Sequence, residues 1–296
     1  MRNAGNVPHF CVRRLIMKSL IVIPARFGSK RFPGKPLAEL CGKAILQRVW
    51  EIADAVCRSR SNCEAVVATE EPVAPGEGSA RIIDFCEKHN IPVEITPDSC
   101  RSGSDRVWAV AANRKERPDV LLNLQGDNPL CPPQFISALL DAFEAHPETQ
   151  VATPCTRLDW TALAALRESK KDSPFSGTTV IVGADGNAKW FSKNIIPAIR
   201  GEEKLAAAGG FSPVRRHIGL YAYKFAALAY FSQAPLGEYE KFEQLEQLRF
   251  IENGIPVRMV EVTYPAGYDA ATSGVDSPED LVRAEKLIRQ AGELSL

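Results

Sequence analysis

The sequence lacks a net charge, a metal-ligand cysteine pattern and any apolar run of membrane-spanning length. Lys and Arg total 36 and Asp and Glu total 36, so no global field draws the chain onto nucleic acid or an anionic membrane. Any basic site must be local. The eight cysteines form no C-x-x-C pair and have no His at zinc-ligand spacing. They read as reduced, mostly buried thiols of a reducing compartment, which points to the cytoplasm. The first 18 residues carry Arg2, Arg13, Arg14 and Lys18 but no signal-peptide core; no later segment has the length of a membrane span. Because regular patterning starts only after Met17-Lys18, residues 1–18 read as an N-terminal extension, disordered or a start-site artefact. The dinucleotide fingerprint G-x-G-x-x-G is missing too, which argues against a nicotinamide oxidoreductase.

What is present is an ordinary globular composition: 296 residues, 45% hydrophobic and 24% charged. The chain can bury a sizeable core. Strand-like runs at 20–25, 65–69, 93–96 and 120–124 alternate with helical stretches. One of these shows apolar periodicity at Ile45, Val49, Ile52 and Val56, another lies near 79–88, a third begins at about Ser104, and a fourth is opened by Pro132-Pro133. This alternation predicts an α/β fold, Rossmann-like, with a mostly parallel central sheet covered by helices on both faces. From about residue 150 the pattern loosens. Thr178–Val182 and Ala188–Phe191 flank an Asp-Gly turn and predict a hairpin. Ile218–Tyr223 and Val257–Val262 read as strands, 238–253 as a charged amphipathic helix, and Ser277-Pro278-Glu279-Asp280 as a capped helix start. The expected organisation is one domain over 19–296 with an antiparallel insertion at about 150–255.

The first strand runs into a basic loop, IPARFGSKRFPGKPL at 23–37. In an open parallel sheet, ligands sit beyond the carboxyl ends of the strands, and the first strand-to-helix loop is a natural phosphate cradle. The loop is not a P-loop: Gly28 and Gly34-Lys35 are one residue too far apart, and Pro36 stands where a magnesium-binding Ser or Thr is required. Arg26, Lys30, Arg31 and Lys35 remain, with Gly28, Ser29 and Gly34 letting backbone N–H groups approach an anion. That is enough charge for a triphosphate, although a solvated basic loop is the plainer alternative. Two aspartates stand out: Asp127 in Gln125-Gly126-Asp127-Asn128-Pro129, at a turn that would project from the same sheet edge as the loop, and Asp276 in Gly274-Val275-Asp276-Ser277-Pro278, before a helix start late in the chain. Alone, each reads as a turn or capping residue. Beside a polyphosphate they suit Mg²⁺, which takes one or two carboxylates and completes its octahedron with phosphate oxygens and water.

Five segments in order carry a family resemblance: Ile23–Arg26 through Arg31–Leu37, Asn123–Asp127, Arg216–Tyr223, Leu245–Arg249 and Gly274–Leu281. Together they resemble the 3-deoxy-manno-octulosonate cytidylyltransferase (CMP-Kdo synthetase) family over about residues 19–290. The resemblance implies Mg²⁺-dependent condensation of CTP with a 3-deoxy-2-ulosonic acid, giving a CMP-sugar and pyrophosphate for lipopolysaccharide biosynthesis. It implies Arg26, Arg31 and Lys35 on the triphosphate, and Asp127 and Asp276 on the metal. Ser102-Gly103-Ser104-Asp105-Arg106 resembles the stretch lining the family's nucleotide pocket, with Ser102 and Arg106 as candidates for base and ribose contacts. A plain helix N-terminus at Ser104-Asp105 explains the same residues equally well.

For the acid sugar, the resemblance points to Gln125, His217 and Tyr221 together with acids of the 238–253 helix. His217 and Tyr221 would alternate onto one face of a strand, and Glu240 and Glu243 would share one face of a helix. Glu246 continues that acidic series, so a solvated helix face is the competing reading, and a buried structural histidine is the competing reading for His217. Asn128, Cys100 and Thr179 depart from the family pattern, in which Glu, His and a nearby Lys are usual. These departures bear on the acceptor more than on the reaction, and leave open an amino-substituted acid, another glycan or natural-product pathway, or a non-catalytic binding paralogue. The resemblance also implies a homodimer, with the 178–225 insertion as its surface.

Overall fold

The computed structural model describes residues 17–29, 31–268 and 274–296; Lys30 and the 1–16 segment lie outside the described residues. Strand β1 (Ser19–Pro24) is buried on both faces, Ile21 and Ile23 packing to one side and Leu20 and Val22 to the other. A strand of this kind belongs in the middle of a parallel sheet. It pairs in parallel with β4 (Cys63–Glu70) and β6 (Val120–Asn123), and β5 (Val93–Thr96) adds beyond β4. A two-residue hairpin of β2 (Glu39–Leu40) and β3 (Lys43–Ala44) precedes α1 (Ile45–Ser59). Helices α2 (Ala80–Lys88), α3 (Gly103–Ala112) and α4 (Pro133–Ala145) make the crossovers. Residues of α1, α2 and α4 fill one core and those of α3 the other, so helices cover both faces.

The second half continues the same sheet. After β7 (Val151–Asp159) and α5 (Trp160–Asp172) come the hairpin of β8 (Thr179–Val182) and β9 (Ala188–Ser192), then α6 (Glu202–Ala207), β10 (Phe211–His217) and β11 (Tyr221–Lys224). Next are α7 (Phe225–Gln233), α8 (Glu238–Glu243), α9 (Leu248–Glu252), β12 (Val257–Glu261) and α10 (Pro278–Ala291). The sheet order is β5-β4-β1-β6-β11-β7-β10-β8-β9, with β12 parallel to β7. Strand β11 is antiparallel to both β6 and β7 and is the seam between the two halves.

Two local expectations give way here. The strand expected over 218–223 starts only at Tyr221: β10 ends at His217, and residues 218–220 carry the chain from one partner segment of β7 to another. His217 and Tyr221 therefore sit on different strands, with their rings 5.5 Å apart. The single helix over 238–253 breaks after Glu243, where Gln244 adopts a left-handed conformation. In an unbroken helix Glu240 and Arg249 would lie on opposite faces, roughly 13 Å apart along the axis. The break folds them together into a bidentate pair and sends Leu245 and Leu248 into the core.

Candidate active site

Beyond the carboxyl ends of β1, β4 and β6 lies a cleft of about 380 Å³. The 25–36 loop forms one wall by folding back on itself. The Gly34 N–H donates to Phe27 O at 3.0 Å, and the Phe27 N–H donates to Glu70 Oε1 at 3.2 Å. Gly34 has a φ of 72°, and a Cβ there would stand 3.2 Å from the Phe27 ring, so glycine alone permits the return. Ser29 Oγ accepts from the Phe32 N–H and pins the tip. As a result Arg26, Gly28, Ser29, Arg31 and Lys35 all face the cleft, while Gly34 shapes the loop from behind.

The floor carries the two aspartates. Gly126 passes so close to β1 that a Cβ would lie 2.5 Å from Pro24 O, and this approach delivers Asp127 to the cleft. The Val275 N–H donates to Asp127 O at 2.7 Å and hooks the 274–276 segment onto that turn. Asp276 then sits immediately before α10, whose Ser277–Asp280 capping box fixes the direction of the chain. Lys35 Nζ donates to Asp127 Oδ2 at 2.6 Å and to Asp276 Oδ1 at 3.0 Å, and Arg31 is 3.2 Å from the other oxygen of Asp276. Burial pushes the Asp127 carboxyl above its ordinary pKa, the Lys35 ammonium opposes that shift, and the Asp276 charge adds to it. Burial draws Lys35 the other way, but its two carboxylate partners prevail and hold its pKa above normal.

Carboxylates that converge on one ammonium can also converge on a small hard cation. The donor set fits Mg²⁺ held jointly with phosphate, since Asp127 and Asp276 supply two acidic ligands. Among the described residues no group of three or more His, Cys, Asp or Glu side chains is placed to hold a metal ion unaided.

The opposite wall begins at Ser102, which lines the cleft and caps α3 by accepting from the Asp105 N–H at 3.1 Å. Its hydroxyl proton remains available as a donor. Arg106 also reaches the cleft, yet its guanidinium is engaged by Thr96 Oγ1 at 2.6 Å and Glu70 at 3.3 Å. Glu70 thus ties the basic loop, through Phe27, to this wall, a link with no local signal in the sequence.

Gln125 lines this cleft and a second cavity of about 80 Å³, bounded further by Asp127, Asn128, Phe135, Gly219 and Tyr264. A buried polar chain leads away from it. Gln125 Nε2 donates to Asn123 Oδ1, Asn123 Nδ2 to Ser104 Oγ, and Ser104 Oγ to Glu246 Oε1. Tyr221 OH donates to Gln247 Oε1 at 2.9 Å, and Gln247 Nε2 is buried without a partner among the described residues. His217 is buried against Thr153, and burial lowers its pKa to about 3, the charge of Lys193 adding to the shift. Thr153 Oγ lies 2.7 Å from Leu220 O, so its single proton goes there and His217 Nε2–H donates to the hydroxyl oxygen.

Glu240 and Glu243 stand apart from both cavities. Glu240 is consumed by Arg249, and Glu243 accepts from Ser192 Oγ and the Lys193 N–H at 2.7 Å each. The helix break is the reason. It turns these acids toward α9 and the β9 end, and brings Glu246 and Gln247 inward instead. The signal for the latter two was their place in the Leu245–Arg249 segment rather than any helical spacing.

A family model described as cytidylyltransferase matches residues 20–260. The chain is 38% identical to a 3-deoxy-manno-octulosonate cytidylyltransferase of Maricaulis maris, covering 94% of this chain and 100% of the relative. The chain belongs to the 3-deoxy-manno-octulosonate cytidylyltransferase family. A second family member, from Nitratidesulfovibrio vulgaris, is 38% identical over 91% of this chain and 95% of its own length. Among solved structures, a CMP:2-keto-3-deoxy-manno-octonic acid synthetase complexed with CTP superposes with a TM-score of 0.75 at 33% identity, covering 93% of this chain and 99% of that one. A 4-diphosphocytidyl-2C-methyl-D-erythritol synthase from Anaerococcus prevotii shares the fold at a TM-score of 0.54 and 12% identity, over 92% of this chain and 99% of its own. This cytidylyltransferase-family chain has no helix, among the described residues, long and apolar enough to cross a membrane.

Proposed function

We propose that the chain condenses CTP with 3-deoxy-manno-octulosonate in a Mg²⁺-dependent reaction that yields the CMP-sugar and pyrophosphate, in the cytoplasm and for lipopolysaccharide assembly. The observation that carries this reading is the Lys35 ammonium held between Asp127 and Asp276 at the mouth of the basic loop. Arg26, Arg31 and Lys35, with the open backbone at Gly28 and Ser29, hold the triphosphate and offset the charge that develops on the leaving pyrophosphate. Asp127 and Asp276 would hold Mg²⁺, which when bound polarises the α-phosphate and lowers the pKa of the attacking hydroxyl. Ser102 and the Arg106 wall face the nucleoside side of the cleft. Gln125, which lines both cavities, orients the acid sugar so that its anomeric hydroxyl meets the α-phosphorus in line with the departing pyrophosphate. His217 and Tyr221 line neither cavity; they flank the 218–220 segment, whose Ile218 and Gly219 line the smaller one.

A pyrophosphate-release assay with CTP, Mg²⁺ and a panel of 2-keto-3-deoxy acids tests the proposal. Release with 3-deoxy-manno-octulosonate is the expected result. Release with a different acid alone would reassign the acceptor, and CTP binding without release from any acid would make the chain a non-catalytic binding protein. A homodimer is part of the same reading, supported by the exposed Ile181, Phe211, Tyr239 and Phe242 on the antiparallel half. A monomeric mass by light scattering at assay concentration would refute it.

A further inference from the structure

At the end of the sheet away from the cleft, two cysteines meet. Cys57 lies in the last turn of α1 and Cys63 opens β4, and their sulfurs are 3.0 Å apart. Among the described residues this is the one pair of cysteines whose sulfurs touch. Arg60 and Asn62 make the turn that joins them, Arg60 in an extended conformation and Asn62 in the left-handed one with φ 57°. Both thiols are half-buried. Cys63 also lines a cavity of about 240 Å³, which it shares with Met17, Arg60 and Glu144, so there is space for a small molecule beside this residue.

We propose that Cys57 and Cys63 form a dithiol modification site that closes reversibly to a disulfide, with a low-molecular-weight disulfide as oxidant. Cys63 is the attacking group. Donation from the Cys57 thiol stabilises its thiolate most, burial opposes this, and the Arg60 guanidinium adds to it. The same contact, together with burial, raises the pKa of Cys57 and keeps its proton on until the second step.

In the first step the Cys63 thiolate forms a bond to one sulfur of the oxidant, and the oxidant's S–S bond breaks to release one small thiolate. In the second, Cys57 loses its proton and attacks Cys63 Sγ, expelling the second small thiol. The two protein thiols are oxidised by two electrons, the oxidant is reduced to two thiols, and the two protons pass to those thiols. Bonding requires the sulfurs to approach from 3.0 Å to about 2.05 Å, a motion within reach of a helix terminus.

The site is remote from the chemistry. Cys63 pairs with Ser19, whereas the cleft lies past Pro24 and Glu70, roughly 23 Å further along β4. The disulfide therefore fastens α1 to β4 without touching the nucleotide cleft.

The full chain incubated with glutathione disulfide, then mapped by mass spectrometry, tests this. The expected product is a cross-linked Cys57–Cys63 peptide, reversed by dithiothreitol, with the melting temperature raised by about 4 °C in the oxidised form and any pyrophosphate release unchanged. Cys57→Ser should trap a mixed disulfide on Cys63, forming at least about tenfold faster than one on Cys57 in Cys63→Ser. If both thiols of the wild-type chain persist, or if the cross-link joins another pair, the proposal fails. Equal rates in the two variants would overturn the assignment of Cys63 as the attacking group. These readouts do not depend on the chain using CTP.

Discussion

The two halves of the sheet treat their charged residues in opposite ways. In the parallel half, short loops after β1 and β6 leave Arg26, Arg31, Lys35 and Asp127 at the edge of an open cleft. Their ion pairs are available for exchange with a ligand. In the antiparallel half, Glu240, Glu243 and Arg249 are used up inside the protein, Glu240 and Arg249 on each other and Glu243 on the β9 end. Charge at a strand terminus of the first kind stays open to a ligand; charge folded under a broken helix of the second kind serves the fold.

Breaking the first half should have the largest effect. Asp127→Asn removes one of two converging carboxylates, and pyrophosphate release should fall by about a hundredfold to a thousandfold. CTP affinity by calorimetry should change far less, since the basic loop is intact. Comparable losses in kcat and affinity would instead make Asp127 a general binding residue.

In the second half the expected loss is of stability. Glu240→Ala leaves Arg249 buried and unpaired, and should cost about 3–5 kcal/mol in denaturant unfolding. Turnover per folded molecule should stay within about twofold, and a selective rise in the KM for the acid sugar would restore Glu240 to the acceptor site. Glu70→Gln probes the link between the halves of the cleft. It weakens the hold on the Phe27 N–H and Arg106, and the KM for CTP should rise by about tenfold with kcat nearly unchanged, a cost of about 1.4 kcal/mol.

A further effect concerns pH. His217 stays neutral in the folded protein down to about 3, whereas the unfolded chain takes up the proton near 6.5. The unfolded state thus binds more protons between these values. Stability is full above about 6.5 and should fall by at most about 1.4 kcal/mol per pH unit as the pH drops toward 3. Urea unfolding at neutral and mildly acidic pH should show a shallower loss in His217→Gln; parallel losses would mean that His217 does not titrate on unfolding.

The elements that local sequence could announce are those found. The alternation before residue 150 gives the parallel strands, and the Ser277-Pro278 start opens α10 with its capping box. That the loop at 23–37 turns its cations to the cleft was legible because its glycines and cations act over a few residues. Asp127 and Asp276 were legible by position, at turns beyond strand ends. The acids of 238–253 were misread because an uninterrupted charge period says nothing of a left-handed residue at Gln244. The same limit hid the separation of His217 from Tyr221, since a strand that changes partner keeps its alternating pattern. Glu70 gave no sign, because its two partners are distant in sequence and meet it only across the sheet.

By itself, then, the sequence determined the α/β class, the basic loop, the two aspartates at its mouth and the family, all carried by short segments whose conformational preferences are local. The tertiary structure alone decided which charges remain open to a ligand. Lys35 meets Asp127 and Asp276 from 92 and 241 residues away, and Glu240 is spent on Arg249 because the chain bends there. The reason is electrostatic: a carboxylate binds whichever cation the fold brings within hydrogen-bond distance, and that distance is set by packing rather than by position in the chain.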